Sequence, residues 1–202
     1  MTKTNPFNPG YYCSSELQGM GFKYVGQDVQ IAKNCTILGL ENISIGDNVR
    51  IDGGATLACA TGELTIGSYI HIGGYCHLTC SGGIRLGDFS GLSQGVRIYS
   101  VSDDYSGDCL TNPTVPRAFL NVTTAAVDIG KHVIIGSGSV VLPGASIGDG
   151  ASVGALSLVN KPLESWGVYC GAPARRLKTR SKALLQQEAE LLEARGRALP
   201  VL

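Results

Sequence analysis

From Val25 onward an aliphatic side chain recurs at every sixth position. The positions fall into triplets: Val25, Ile31 and Ile37; Ile45, Ile51 and Leu57; Ile66, Ile72 and Leu78; Leu86, Leu92 and Ile98; Ile129, Ile135 and Val141; Ile147, Val153 and Val159. Nine of these eighteen residues are followed directly by Gly, at 26, 46, 67, 73, 87, 130, 136, 148 and 154, so the period has two residue types in fixed order. A six-residue unit cannot bury its one large side chain alone, so units must coil and stack. Three units make one turn of a triangular coil. Short strands form the faces, and Gly, Asp, Asn or Ser stand at the corners, where unusual φ/ψ values are needed.

The register supports three units per turn. Successive triplets start at 25, 45, 66 and 86, each eighteen residues plus two or three extras. The extras always follow the third unit, around Glu41–Ser44, Gly62–Thr65 and Gly82–Arg85, so the bulges stack on one corner. The last two coils, from 129 and 147, are eighteen apart. The pattern predicts an all-β parallel β-helix of about six triangular coils over residues 25–165, about 30 Å tall at the usual strand spacing. One long loop, 99–128, is extruded from it. Residues 1–24 read as an N-terminal cap, with Ser14 or Ser15 starting a short helix over the open end. Residues 166–202 form a C-terminal segment in which Ser181 caps the helix KALLQQEAELLEAR. Leu184, Leu185, Leu191 and Leu192 give that helix one apolar stripe, which suits a lid or a subunit contact.

Composition narrows the function classes. Sixteen basic and sixteen acidic residues cancel, which leaves no global field for nucleic acid or anionic lipid. Charged residues at 16% and apolar ones at 44% exclude a disordered chain. No apolar run is long enough for membrane insertion, and MTKTNPFNPG lacks a signal peptide's apolar stretch, so the expected location is cytoplasmic. The seven cysteines then read as reduced thiols. Cys76-His77-x-x-Cys80 lacks a second half for a metal site, and Cys76 falls on an inward position, so no metal is expected.

The segment from Asp128 to Arg176, DIGKHVIIGSGSVVLPGASIGDGASVGALSLVNKPLESWGVYCGAPARR, resembles the hexapeptide-repeat acyltransferases. It is most similar to the galactoside and maltose acetyltransferase group and to nucleotide-aminosugar N-acyltransferases of bacterial surface-polysaccharide clusters. The resemblance implies a left-handed β-helix, a homotrimer, and acetyl-CoA or another acyl-CoA as co-substrate in clefts between subunits. It also implies, by position, that Ser137 and Ala155 meet the pantetheine arm. Asn160, Lys161 and Arg175 would lie nearer the nucleotide, with Lys178 on a phosphate. Small residues at 136, 137 and 155 would leave backbone groups open to the pantetheine amides. Arg175, Arg176, Lys178 and Arg180 cluster positive charge at the phosphate end, or simply form a solvated basic stretch.

The sequence departs from the family pattern at the acceptor. The O-acetyltransferases carry a catalytic histidine where IYSVSDDYSG places Asp103, and the sugar-gripping Asn and Asp are replaced by Gly73 and Ser81. A sugar hydroxyl needs a base as it attacks, whereas a neutral amine needs only orientation and an acceptor for the released proton. Asp103 therefore favours N-acylation of a nucleotide-linked deoxyaminosugar. Asp103 and Asp104 are the candidate acid–base residues, a close pair in which the pKa of one would be raised. The alternative is a polar turn whose Asp residues cap backbone N–H groups. Ser93 would anchor a water or relay a proton, or is a plain corner residue. Tyr105 would stack on a sugar or base, or pin the loop. His77 stacks between Thr56 and Arg97 and would meet the acceptor from a neighbouring subunit, or is simply solvated. His71 points outward on another edge, and His132 reads as a surface residue. Three further readings stay open: sugar O-acetylation with His77 as base, a non-enzymatic scaffold, and a zinc carbonic anhydrase using the three histidines. The last fits poorly because His71 and His77 lie on different edges.

Overall fold

The computed structural model describes residues 5–198. The repeat folds as a parallel β-solenoid of about seven turns, with three strand ladders as faces. The first face stacks Tyr24–Val25, Ile43–Ile45, Leu64–Ile66, Ile84–Leu86 and Val127–Ile129, then continues through bridges at Ile147 and Leu163. The second stacks Gln30–Ala32, Val49–Ile51, Ile70–Ile72, Gly91–Leu92, Ile134–Ile135, Ser152–Val153 and Gly167–Cys170. The third stacks Thr36–Leu38, Thr56–Ala58, His77–Thr79, Arg97–Tyr99, Val140–Val141 and Leu158–Val159. Every aliphatic slot of the period is buried except Ile37, which is half-buried in the first coil, where no coil lies beneath it.

The turn count differs from expectation because the period continues past 165. Leu163 bridges to Ile147, and Tyr169 pairs with Val153 and is buried. The step from Val159 to Leu163 is two residues short, and Tyr169 is aromatic, so an aliphatic six-residue pattern passes over both.

The corners also depart from the small-residue expectation. Between the first and second faces Asp28, Asn48, Tyr69, Phe89, His132, Gly150 and Trp166 all have positive φ. A left-handed residue other than glycine costs about 1–2 kcal/mol. Stacking along the edge offsets it. The rings of Tyr69 and Phe89 stack with centroids 4.6 Å apart, and Phe89 stacks on His132 at 5.2 Å. Gly150 must be glycine, because the Trp166 ring occupies the space of any Cβ there. His132 is thus not a surface residue: it is 9% exposed and its Nε2 lies 2.9 Å from a Glu188 carboxylate oxygen.

Both ends are closed by antiparallel strands. Tyr11–Cys13 pairs with Gln30–Ala32 and leads into helix α1, Ser14–Leu17, whose Leu17 plugs the core. The cap position is Cys13 rather than Ser14 or Ser15: its N–H donates to the Glu16 carboxylate, while the Ser14 hydroxyl accepts from the Val29 N–H. At the other end Arg175–Thr179 pairs with Gly167–Cys170. Ser181 then accepts from the Ala183 N–H, and helix α2, Leu184–Ala198, runs down the aromatic corner as far as Tyr69 and Asn48, which Arg195 contacts. Leu185, Leu191 and Leu192 remain exposed.

Candidate active site

The long loop leaves the prism at the corner between the third and first faces, where the shorter bulges already stack. It forms a two-stranded ribbon, Val101–Ser102 against Thr123–Thr124. Where it departs, Tyr99, Val101, Ser102, Asp103, Tyr105, Val140 and Leu142 line a cavity of about 590 Å³. Asp103 is exposed at its edge, and its carboxylate makes no hydrogen bond or ion pair among the described residues. Tyr105 is 93% exposed beside it.

Asp104 turns the other way. Its carboxylate accepts from the Ser106 N–H and hydroxyl and from the Cys109 N–H, at 2.8–3.1 Å. The Ser106 N–H and hydroxyl hold its pKa below the usual carboxylate value. Asp104 therefore caps the loop turn and does not line the cavity beside Asp103, so the two carboxylates do not act as the expected close pair. His77 sits between Thr56 and Arg97 in register, with Nε2 3.0 Å from the Thr79 hydroxyl and its ring 5.7 Å from that of Tyr99. It neighbours the cavity without lining it.

The corner between the second and third faces carries the other predicted residues. Ladder register stacks Leu92, Ile135 and Val153, so Ser93 lies under Gly136 and Gly154, while Ser137 lies under Ala155. Ser137 and Ala155 are exposed. The Ser137 carbonyl accepts from Leu156, but its N–H, and both backbone groups of Ala155, have no partner among the described residues. Gly136 keeps this edge tight, since a Cβ there would strike the Ala155 backbone. Ser93 does not line the cavity at Asp103. It instead borders a cavity of about 420 Å³ on the second face, lined by His71, Gly91, Leu92, Ser93, Gln94 and Ile134. Its signal in the sequence is Gly91, a glycine at an outward strand position above His71.

At the top of the prism the structure brings Asn160, Lys161 and Arg175 together around a cavity of about 340 Å³, with Arg176 at its rim. Lys178 lies further along the closing strand opposite Val168 and does not line it. Arg180 leaves the expected cationic cluster altogether. Its guanidinium donates to the carbonyls of His132, Gly150 and Ala151 at 2.7, 3.1 and 3.2 Å, and desolvation lowers its pKa. The three histidines occupy two faces and one corner. Among the described residues no group of three or more His, Cys, Asp or Glu side chains is placed to hold a metal ion. No described helix is long and apolar enough to cross a membrane.

Comparison with known proteins places this architecture. The model of the bacterial transferase hexapeptide (six repeats) matches residues 126–161. The dTDP-4-amino-4,6-dideoxy-D-glucose acyltransferase of Escherichia coli is 42% identical over 179 residues, covering 89% of this chain and 93% of its own length. AntD, an N-acyltransferase from Bacillus cereus crystallised with dTDP and 3-hydroxybutyryl-CoA, superposes with a TM-score of 0.88 at 40% identity, covering 93% of this chain and 98% of that one. A maltose O-acetyltransferase from Clostridium difficile shares the fold at a TM-score of 0.56 and 22% identity, covering 83% of this chain and 74% of its own. The stacked coils, the extruded loop and this near full-length similarity together make the chain a member of the hexapeptide-repeat acyltransferase family.

Proposed function

We propose that this protein transfers an acyl group from acyl-CoA to the amino group of a nucleotide-linked deoxyaminosugar, with a dTDP-4-amino-4,6-dideoxyhexose as the favoured acceptor. The observation that carries the reading is the 42% identity, over nearly all of both chains, to an acyltransferase of that substrate class. Crystal forms of AntD altered at a serine, and at an aspartate ten positions further on, hold coenzyme A with dTDP-4-amino-4,6-dideoxyglucose or dTDP. Ser93 and Asp103 are likewise ten positions apart.

The chemistry suits the residues. The amine attacks the thioester carbon directly, the C–S bond breaks, and the thiolate leaves as coenzyme A. The unpaired Asp103 carboxylate attracts the ammonium and accepts the proton that the nitrogen gives up once it is acylated. The free backbone groups of Ser137 and Ala155 offer partners for pantetheine amides, and Asn160, Lys161 and Arg175 a polar, cationic seat for the nucleotide of the donor. Tyr105 belongs to the loop-root cavity with Asp103, His77 to the face beneath the loop, and Lys178 to the closing strand beyond the nucleotide seat. Ser93 and Asp103 are on different parts of one chain, so the reading includes a homotrimer in which the two half-sites meet between copies. It also includes a cytoplasmic location, where both substrates are available.

The test is a mass-spectrometric transfer assay with acetyl-CoA and 3-hydroxybutyryl-CoA. Paired nucleotide sugars would carry an amino group or a hydroxyl at the same carbon. Transfer to the amine alone, with a loss of about 100-fold or more in Asp103→Asn, supports the reading. Transfer to the hydroxyl partner contradicts it and assigns sugar O-acylation.

A further inference from the structure

The cavity beside Ser93 has a built floor. Asp52, at the corner just below, accepts from the Tyr11 hydroxyl at 2.9 Å and from Arg50 Nε at 2.7 Å through Oδ1, and its Oδ2 lies 2.8 Å from His71 Nε2. Arg50 Nη2 also donates to the Tyr11 hydroxyl at 3.0 Å. Partial burial works against ionisation of Asp52, but the hydrogen bonds from His71, Tyr11 and Arg50 outweigh it and hold the carboxyl below its ordinary range. An ionised carboxylate can only accept, so Nε2 carries the hydrogen in this contact. In the neutral ring, Nδ1 is then the nitrogen with the free lone pair.

Above this ring the sequence leaves a gap. Ladder register places Gly91 directly over His71 and Ile134 over Gly91. A Cβ at Gly91 would meet only the His71 carbonyl oxygen, at 4.0 Å, and Gly91 does not have positive φ. Packing therefore does not demand glycine here. Its absent side chain opens the cavity, roofed by half-exposed Ile134 and edged by Ser93 and Gln94. The charged or titratable groups facing His71 are Asp52, Arg50 and Tyr11 from below; Gly91 and Ile134 above carry none.

We propose that this slot seats the acceptor's amino sugar, and that His71, positioned by Asp52, takes a proton from its ammonium group on the Ser93 side of the site. The assignment rests on the N-acyl transfer reading and deepens it. Proton balance gives it a reason. An arriving ammonium must lose two protons to become an amide N–H. The first passes to His71 Nδ1 and frees the lone pair that attacks the thioester carbon. The C–S bond then breaks with its electron pair on sulfur. The second proton leaves the new amide nitrogen through Asp103 and ends on the thiolate, giving the coenzyme A thiol. His71 returns its proton to water. One carboxylate and one imidazole on opposite sides of the amine divide the two transfers.

Initial rates for the wild type, Gly91→Val and His71→Gln test this. Gly91→Val fills the slot without straining the backbone, and it raises the acceptor KM about tenfold or more while the acyl-CoA KM stays within about twofold. His71→Gln lowers kcat about 100-fold with the acyl-CoA KM unchanged. His71→Gly regains rate when imidazole is added, which a merely structural role would not give. Both variants matching an active wild type within about twofold, with no rescue by imidazole, overturn the assignment while the transfer reading stands. A wild type that acylates no nucleotide-linked amine overturns both.

Discussion

Asp103 and Asp104 are adjacent in sequence and opposite in use. Asp104 spends its carboxylate on the Ser106 and Cys109 N–H groups, so its pKa falls. A group whose pKa is lower folded than unfolded contributes stability above its unfolded pKa and loses it as pH falls toward the folded value. The turn-cap contribution over 104–109 is therefore fully present at neutral pH and declines as pH falls from the ordinary aspartate range, about 4, toward the lower folded value. Hydrogen exchange across an acid series reads this directly: protection of the Ser106 and Cys109 amides should fall below that point, and in Asp104→Asn it should be weak at every pH. Protection of those amides equal in the wild type and in Asp104→Asn across the whole series would contradict the turn-cap role. Which of two neighbouring aspartates is free was not legible in SDDYSGD. Both readings of the string were chemically sound, and only the turn geometry separates them. The same limit applies to His71, whose proposed role depends on Asp52 and Gly91 in the coils below and above it.

At the scale of the element, the period told nearly everything that hydrophobic burial controls. Aliphatic slots such as Ile51, Leu78 and Val141 are fully buried, and the bulges and the long loop leave from one corner. What the period did not tell is carried by other forces. The seventh turn rests on Leu163 and Tyr169, out of step or out of type. The corner between the first and second faces uses stacked rings where small residues were expected, and the ring-on-ring contact offsets the positive φ. Arg180 belongs to this corner. Basic residues in a GAPARRLKTR string read naturally as phosphate contacts, yet this one satisfies three carbonyls under helix α2. Arg180→Ala leaves those carbonyls short of a charged donor and should cost about 1.5–3 kcal/mol. Urea unfolding measures it. A midpoint unchanged in Arg180→Ala would mean that water replaces the guanidinium at no loss.

The whole molecule is a prism whose candidate site residues are spread over separate surfaces. The second face and its corner hold His71, Ser93, Ser137 and Ala155. The loop root holds Asp103 and Tyr105, and the top holds Asn160, Lys161 and Arg175. Helix α2 covers the aromatic corner and leaves Leu185, Leu191 and Leu192 facing outward, as a subunit contact would. In the proposed reading each surface alone would be an incomplete site, and copies related by a rotation axis would bring the corner of one against the loop root of the next. Co-assembly of two inactive variants tests that arrangement most directly. Ser93→Ala and Asp103→Asn, co-expressed with different tags and purified as mixed oligomers, should each lack activity alone. Together they should recover about a quarter of the wild-type rate, the share of interfaces where random mixing sets an intact serine against an intact aspartate. Mixed oligomers as inactive as either parent would contradict a site built between copies and would place acyl transfer within a single chain.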